Sequence, residues 1–240
     1  MFVFKHAPFL ALAGLLTAGC SAATIYSTGF ESPFTVGTLN GQGGWLTAGT
    51  ETVSTASPQT GTQDEFLLGN TPTIILHSDP TSGSPLIIAA ANLAFLNPIL
   101  DPWVYVISGG PGSGSTAASV TINPDGSLTF ANSAFHTAAG TITTGGYNQF
   151  ALIADFGTGT YSFALNGTTL VSGIAMLGGT NGGRYDAIAI LNTASNGGGL
   201  FVDNVFVGNA GSSTPEPGTP ILLGGGLVLL GLGLWRKKSA

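Results

Sequence analysis

Two adjacent carboxylates, Asp64 and Glu65, are the closest acidic pair in this sequence. Hydrolysis of a glycosidic bond uses two carboxylates that flank the bond. A β-strand presents such a pair on one face when the residues stand at i and i+2. Asp64 and Glu65 would face opposite ways in a strand, and no predicted strand holds two carboxylates at i and i+2. The surrounding segment, Glu51 to Pro72, is rich in strand-breaking residues and predicts a long loop, so the pair does not indicate acid–base hydrolysis.

Other residue types that support catalysis are scarce. His77 ends an apolar run and His136 lies in a Ser/Ala/Thr stretch, positions typical of a strand end and a loop. Gly112-Ser113-Gly114 lacks the strand and helix that make a nucleophile elbow, and the wider Gly109 to Gly114 run lacks the Lys and Ser/Thr of a phosphate loop. The single cysteine, Cys20, excludes a zinc–thiolate cluster. We predict that the protein is not an enzyme.

Two tryptophans are the most evident candidates for ligand binding, because an exposed indole can stack on a sugar ring. Trp45 follows a glycine pair, a setting more typical of a buried side chain. Trp103 opens the run Trp103-Val104-Tyr105-Val106-Ile107, which is apolar on both faces and predicts a central strand. Neither tryptophan is therefore predicted to contact a ligand.

The elements that must position these residues are β-strands. Short runs of β-branched and aromatic residues alternate with Gly, Asn, Ser and Pro clusters, and no convincing amphipathic helix is present. Asn123-Pro124-Asp125-Gly126 and Asn166-Gly167 predict tight turns between strands. The pattern predicts an antiparallel two-sheet β-sandwich, with strands Thr24–Phe30, Gly44–Ala48, Thr73–His77, Leu86–Ala91, Trp103–Ser108, Ala118–Ile122, Ser127–Ala131, Asn148–Phe156, Tyr161–Leu165, Thr169–Ser172, Tyr185–Leu191 and Leu200–Val207.

The N-terminus has the layout of a secretory signal peptide. One early cation, Lys5, precedes an apolar core and a run of small residues up to Ala23. Ser21-Ala22-Ala23 offers a small-x-small cleavage site, so the mature chain is predicted to begin at Thr24 without a cysteine. Lipidation of Cys20 is the alternative, although Thr17 stands where a lipobox prefers Leu.

The C-terminus combines three features in a fixed order. Pro215-Glu216-Pro217 leads into an uncharged apolar segment at 218–235, followed by Arg236, Lys237 and Lys238. As a helix the apolar segment would be about 27 Å long, just short of a hydrocarbon core of about 30 Å. We predict a marginal transmembrane helix with its basic tail in the cytoplasm.

Charge is distributed unevenly along the chain. Four of the five Lys and Arg residues lie at the two ends, whereas eleven carboxylates and the single Arg184 lie between them, a formal charge of −10. The positive-inside rule places both ends in the cytoplasm and the acidic part outside. So acidic a surface repels phosphate backbones and excludes nucleic acid as a partner. It suits neutral sugars, divalent cations or a cationic surface.

The order of features at the C-terminus resembles the PEP-CTERM sorting signal of exported proteins from bacteria, mostly Gram-negative, that make extracellular polysaccharide. The resemblance implies recognition by an exosortase, a membrane transpeptidase that cuts near Pro215-Glu216-Pro217. An ordinary membrane anchor is the alternative. The predicted organisation is a signal peptide at 1–23, a β-sandwich at 24–210, a linker at 211–217, a transmembrane segment at 218–235 and a cytoplasmic tail at 236–240.

Three runs between the ends resemble the laminin G/concanavalin A-like jelly rolls common in exported bacterial proteins. They are Gly29-Phe30-Glu31 followed by 39–45, the run at 155–163 leading into Asn166-Gly167, and the closing run at 200–207. The resemblance implies carbohydrate binding or adhesion. In similar sandwich modules Phe-Glu and Asp-Asp/Asn runs supply a structural calcium site, which implies Glu31 and Asp203 as ligands here. Calcium takes six to eight oxygen ligands, and Asn204 departs from the second acidic residue of the family.

These observations predict an exported protein of the cell envelope or extracellular matrix. It would begin as an inner-membrane-anchored precursor, pass through the secretion machinery and exosortase, and end at the cell surface or in the matrix. Its sandwich is expected to bind extracellular polysaccharide. A structural surface protein without a small ligand is the alternative, and a glycoside hydrolase is a remote one.

Overall fold

Fifteen β-strands joined by turns make up the computed structural model, which describes residues 23–48, 51–68, 74–78, 85–109, 116–178, 185–192 and 196–209. The described residues contain no helix, so the predicted all-β class is confirmed. The strands are β1 Ala23–Thr28, β2 Gly37–Thr38, β3 Trp45–Thr47, β4 Thr52–Ser54, β5 Asp64–Leu68, β6 Ile74–Ser78, β7 Leu86–Phe95, β8 Trp103–Gly109, β9 Thr116–Ile122, β10 Leu128–Phe130, β11 Tyr147–Asp155, β12 Thr160–Leu165, β13 Thr168–Ala175, β14 Tyr185–Asn192 and β15 Gly199–Asn209.

The strands form two antiparallel sheets. The nine-stranded sheet has the order β13-β12-β11-β7-β15-β5-β4-β2, with β1 also paired to β15, and the six-stranded sheet has the order β10-β9-β8-β14-β6-β3. The last strand, β15, holds both chain ends of the domain together, because it pairs with β5 at 199–202 and with β1 at 205–209. The first and last strands of the sandwich are therefore neighbours.

The core lies between the two sheets. Period-2 alternation points one set of side chains inward from each strand, as in β7 and β12, where buried and half-buried residues alternate. Tryptophan 45 is 1% exposed, and Trp103, equally buried, lies on β8 between β9 and β14. Both expectations for the tryptophans are confirmed. The other large, fully buried side chains are Tyr105, Tyr161, Tyr185, Phe30, Phe95, Phe130, Phe150, Phe163, Leu39 and Leu67.

Local turn chemistry connects the predicted hairpins as expected. Asn166 and Gly167 have φ values of 50° and 77°, which is the all-positive pattern of a type I′ turn between β12 and β13. Gly126 has φ 76°, and its amide donates to the carbonyl of Asn123 at 2.9 Å. All twelve predicted strands overlap observed ones, and β7 and β13 extend furthest beyond their predicted ends.

The predicted long loop from Glu51 to Pro72 is wrong. This segment contributes β4 and β5 to the nine-stranded sheet, where β5 lies between β4 and β15. The loop was predicted because strand-breaking residues are frequent in this segment. Asp64 and Glu65 are nevertheless both fully buried, although charged residues seldom are. They face opposite ways, as their spacing requires. Tertiary pairing on both sides of β5 has outweighed the local composition.

Glu65 points into the sandwich. Its cross-strand partners, Val53 and Val202, both belong to the core. Neither carboxylate oxygen of Glu65 has a hydrogen-bond partner among the described residues. Burial raises the pKa of Glu65 well above its ordinary value, and the nearby Glu51 and Asp64 carboxylates raise it further. Glu65 therefore favours the protonated form inside the fold.

The terminal segments lie outside the described residues. These include the predicted signal peptide at 1–23 except its last residue, the Pro215-Glu216-Pro217 motif, the predicted transmembrane segment at 218–235 and the basic tail. Within the described ranges, no helix has the length and apolar character needed to cross a membrane.

Glu65 predicts a specific dependence of stability on pH. A carboxyl group whose pKa is raised by folding contributes stability fully below its unfolded pKa, and this stability is lost as pH rises through the folded pKa. Glu65→Gln keeps the side-chain volume and removes the charge, so it should raise the free energy of unfolding at pH 8 by on the order of 1–3 kcal/mol. Thermal melting at pH 5 and pH 8 measures this difference, at about 2–4 °C per kcal/mol for a domain of this size.

Glu31→Gln is the matched control, because hydrogen bonds lower the pKa of Glu31. The stability that Glu31 contributes is therefore lost as pH falls, whereas that of Glu65 is lost as pH rises. A Glu65→Gln protein that melts below the wild type at pH 8 would show that the buried carboxylate stabilises the fold.

Candidate functional site

A loop at 55–63, which we call the strap, connects β4 to β5 and is held to the outer face of the nine-stranded sheet. Asp203 on β15 provides one attachment, because its Oδ2 accepts hydrogen bonds from the backbone amides of Gln59 at 3.0 Å and Thr60 at 3.1 Å. The Thr60 hydroxyl donates to the side-chain oxygen of Asn204 at 3.1 Å. Asp203 is fully buried, which shows that these contacts seal its carboxylate.

Glu31 provides the second attachment. Its Oε1 accepts hydrogen bonds from the backbone amides of Thr62 and Gln63, the latter at 2.8 Å, and its Oε2 accepts from the Thr62 hydroxyl at 2.9 Å. These bonds, led by the amide of Thr62, hold the pKa of Glu31 below its ordinary value. Gly61 lies between the strap residues that bond to Asp203 and those that bond to Glu31. A glycine is required there, because its φ is +70° and a Cβ would lie 2.1 Å from Glu31 Oε1.

The backbone brings Glu31 and Asp203 to the same end of the sandwich. Beyond β1 the chain turns at Phe30, with φ 60°, and β15 has a bulge at Asn204, with φ 49°. A Cβ on Gly29 would lie 3.4 Å from side-chain oxygens of both Asp203 and Asn204, so these oxygens approach each other over Gly29. Burial raises the pKa of Asp203, and the charge of Glu31 raises it further.

Asp64 lies beside Asp203 beneath the strap. Val202 pairs with Glu65, so the next residues, Asp203 and Asp64, face each other across β15 and β5. Burial raises the pKa of Asp64; Ser57 and Ser54 nearby offset part of the effect, although neither reaches its carboxylate with hydrogen-bond geometry. The fold thus brings two carboxylates together on one face, but both are fully buried and neither can contact a substrate in this state.

The predicted calcium ligands fit a calcium ion in kind but not in number. Glu31, Asp203 and Asn204 supply the hard oxygens that calcium prefers. Three hydrogen bonds already reach each of the two carboxylates. Among the described residues no group of three or more His, Cys, Asp and Glu side chains is placed to hold a metal. In this structure the two carboxylates are therefore engaged mainly by donors of the strap.

The outer face of the nine-stranded sheet beyond the strap carries a row of aromatic residues. Phe66 on β5, Phe201 on β15, Ala94 on β7 and Tyr147 on β11 are aligned across four strands. The three rings are half-buried, and those of Phe66 and Phe201 are in contact, with centroids 4.8 Å apart. The Tyr147 hydroxyl donates to the strap carbonyl of Ser57 at 2.8 Å. This arrangement gives a ligand an aromatic surface beside the strap.

A polar row runs parallel to the aromatic row. Asp203 pairs with Asn92 on β7, which pairs with Gln149 on β11. Asn92 is half-buried and Gln149 is exposed, whereas the strap seals Asp203 at the other end. The backbone of Gln149 is fixed by Asn166, whose Oδ1 accepts its amide at 2.8 Å. The accessible part of this row therefore presents amide groups, which both donate and accept hydrogen bonds.

The next row contains one phenylalanine and three alanines. Phe206, Ala90, Ala151 and Ala164 are aligned across β15, β7, β11 and β12, and all are half-buried. The short alanine side chains leave space above the sheet beside the amides of Asn92 and Gln149. We call the aromatic, polar and alanine rows together the outer-face array.

The sequence did not identify the outer-face array. Phe66 lay in a predicted loop, and cross-strand alignment depends on the register of strands far apart in the chain. The signal available was period-2 alternation in β7 and β11, which defines one face but not its neighbours. His136 is exposed in the loop after β10, as expected, and the side chain of His77 lies outside the described residues.

Comparison with known proteins supports the fold. No protein-family model matches the sequence, and no curated protein matches it. Among solved structures, a sialidase is similar with a TM-score of 0.61 and 10% identity over 81% of this chain, which spans 19% of the sialidase. A carbohydrate esterase from the Shiga toxin-encoding bacteriophage phi24B is similar with a TM-score of 0.57 and 12% identity, over 79% of this chain and 99% of the esterase.

The lectin UEA-II, solved in complex with galactose, gives a TM-score of 0.52 and 10% identity over 76% of this chain and 97% of its own. At these identities the likeness establishes the fold alone. The chain has the two-sheet, lectin-like jelly-roll sandwich that these proteins share.

The calcium site stays a prediction that melting experiments can check. A bound ion stabilises the folded state by mass action, so millimolar calcium should raise the melting temperature relative to a chelator, and Glu31→Gln should abolish the rise. Asp125→Asn is the matched control, because Asp125 likewise accepts a backbone amide, that of Ser127 at 2.9 Å, but in a turn of the other sheet. Equal melting temperatures in calcium and chelator would contradict the calcium site.

Proposed function

We propose that this protein is exported and binds carbohydrate through the outer-face array. The observation that carries the proposal is the alignment of half-buried rings with accessible amide groups on one face of the nine-stranded sheet. Ligand sites combine aromatic surface with a few polar groups that fix orientation. Aromatic rings suit the C–H faces of sugars, and amides suit their hydroxyls. The fold shared with a galactose-bound lectin, a sialidase and a carbohydrate esterase supports this assignment.

We propose binding rather than catalysis. The two carboxylates that the fold brings together, Asp64 and Asp203, are sealed beneath the strap, and a glycosidase requires its pair to reach the scissile bond. Asp203 also accepts hydrogen bonds from two strap amides. The remaining described carboxylates of the nine-stranded sheet are Glu65, which faces the core, and Asp155, at the end of β11. Hydrolysis remains the remote alternative, and it would require the strap to lift.

Removal of one ring tests the binding proposal. Phe201→Ala removes the centre of the aromatic row, and aromatic contacts contribute about 0.5–1.5 kcal/mol beyond the area they bury. We therefore expect the affinity for a glycan that the wild type binds on an array to fall by about tenfold. Titration by calorimetry with that glycan measures the change.

Phe135→Ala is the matched control. Phe135 is 49% exposed and stacks on Phe130 with centroids 5.9 Å apart, but it lies beyond β10 in the other sheet. Its loss should leave glycan affinity unchanged. If a correctly folded wild type binds no glycan on the array, the alternative of a structural surface protein without a small ligand is favoured.

We propose that the chain ends direct export and sorting. The signal peptide would direct the chain to the secretion machinery, and the segment at 218–235 would hold the precursor in the inner membrane. An exosortase would act near Pro215-Glu216-Pro217 and release or re-anchor the sandwich at the cell surface or in the extracellular matrix. The support is the order of motif, apolar segment and Arg236-Lys237-Lys238, together with the concentration of cations at the two ends.

Processing at the C-terminus is directly measurable. In a strain with active exosortase, intact-mass analysis of the surface protein should show loss of the apolar segment and of Arg236, Lys237 and Lys238. Neutral substitution of these three cations should impair retention of the precursor, because the anchoring charge would be lost. A surface protein that still ends at Ala240 would contradict sorting and favour an ordinary membrane anchor.

A further inference from the structure

The strands of the nine-stranded sheet contain no cationic residue. Their sequences include Asp64, Glu65, Asp155 and Asp203 but no Lys, Arg or His. Indeed no Lys or Arg occurs in any of the described ranges. Proteins bind carboxylate and sulfate groups with Arg, Lys or His, because charge-assisted hydrogen bonds offset the desolvation of the anion. The described residues of the outer-face array offer no such partner.

The charges that are present would repel an anionic ligand. Asp64 and Asp203 lie in the polar row, and burial beneath the strap weakens the solvent screening of their charges. Glu31 adds a third carboxylate at the same end of the sandwich. A polyuronate laid along the polar row would bring its own carboxylates toward these groups without a compensating cation.

The accessible polar groups suit hydroxyls instead. Gln149 is exposed and Asn92 is half-buried one strand away, and each amide offers two donor hydrogens and an acceptor oxygen. A sugar hydroxyl is likewise a donor and an acceptor, so each can satisfy the other without a net charge. The rings of Phe66 and Phe201 lie in the adjacent row and offer apolar surface for a pyranose C–H face.

We propose that the outer-face array binds an uncharged polysaccharide chain laid across strands β15, β7 and β11, and that the sealed carboxylates beneath the strap exclude anionic polymers. This inference rests on the proposed function and specifies its ligand class. Four aligned strands span about 14 Å, which is room for a short stretch of a longer chain. The amides of Asn92 and Gln149 select for hydroxyl groups, and the aromatic row supplies the contact area.

Affinity electrophoresis of the purified full-length protein tests the ligand class. The probes are hydroxyethyl cellulose as a neutral glucan and alginate as a polyuronate, at about 0.05 and 0.5 M salt. Retardation by the neutral polymer should change by less than about twofold between the two salt concentrations, because screening acts only on charges. Retardation by alginate should be at least about tenfold weaker.

A charge placed in the array provides the sharper test. Gln149→Lys should create binding to alginate at low salt that is lost at high salt, and it should weaken binding to the neutral glucan. Thr121→Lys is the matched control, because it adds the same charge on β9, in the six-stranded sheet and away from the array. The control should gain no such binding.

The possible outcomes separate the inference from the function beneath it. Wild-type binding to alginate that weakens with salt, or equal gains from Gln149→Lys and Thr121→Lys, would overturn the uncharged ligand while leaving carbohydrate binding in place. Failure to bind either polymer, together with an empty glycan array, would overturn both. Neutral, salt-independent binding that Gln149→Lys redirects toward alginate supports the inference.

Discussion

The hydrogen bond from a backbone amide to a carboxylate is the interaction on which this structure depends. No Lys or Arg lies in the described ranges, and several of the acidic side chains there accept hydrogen bonds from loop amides. Asp101 accepts hydrogen bonds from the amides of Asn196 and Gly198, each at 2.9 Å, and is fully buried. Although burial favours its neutral form, these donors together hold the pKa of Asp101 below its ordinary value.

The same interaction fixes loops at both ends of the sandwich. Asp155 accepts the amides of Gly157 and Thr158 in the turn between β11 and β12, while Glu31 and Asp203 hold the strap. Because a carboxylate is an acceptor only, each one organises several donors and so specifies a loop conformation. Asp64 and Glu65 are exceptions, since neither carboxylate has a hydrogen-bond partner among the described residues. That contrast explains why burial raises the pKa of Glu65 while hydrogen bonds lower the pKa of Glu31.

The sequence predicted the features that are local and missed those that are not. Alternation and turn residues are properties of short segments, so the hairpin at Asn166-Gly167 and the strands beside it were predicted correctly. Strand β5 was missed because strand-breaking residues surround it in the sequence, and its partners β4 and β15 are set by tertiary pairing. The contacts of the strap could not be predicted for a related reason. Most of its donors are backbone amides, which produce no pattern in the sequence. The approach of Glu31 and Asp203 was implied only by the resemblance to similar sandwich modules.

The strap divides the outer face into a sealed part and an open part. Its amides donate hydrogen bonds to Asp203, Asp64 is buried beside Asp203, and its Ser57 carbonyl accepts a hydrogen bond from the Tyr147 hydroxyl. Backbone amides of the strap thus cover the acidic part of the sheet. The residues of the array that stay accessible carry uncharged side-chain amides and rings. A loop drawn over the sheet by carboxylates therefore also removes those carboxylates from the surface that a ligand can reach. In a sheet whose strands contain no cation, the same hydrogen bonds hold the loop and leave the accessible outer face uncharged.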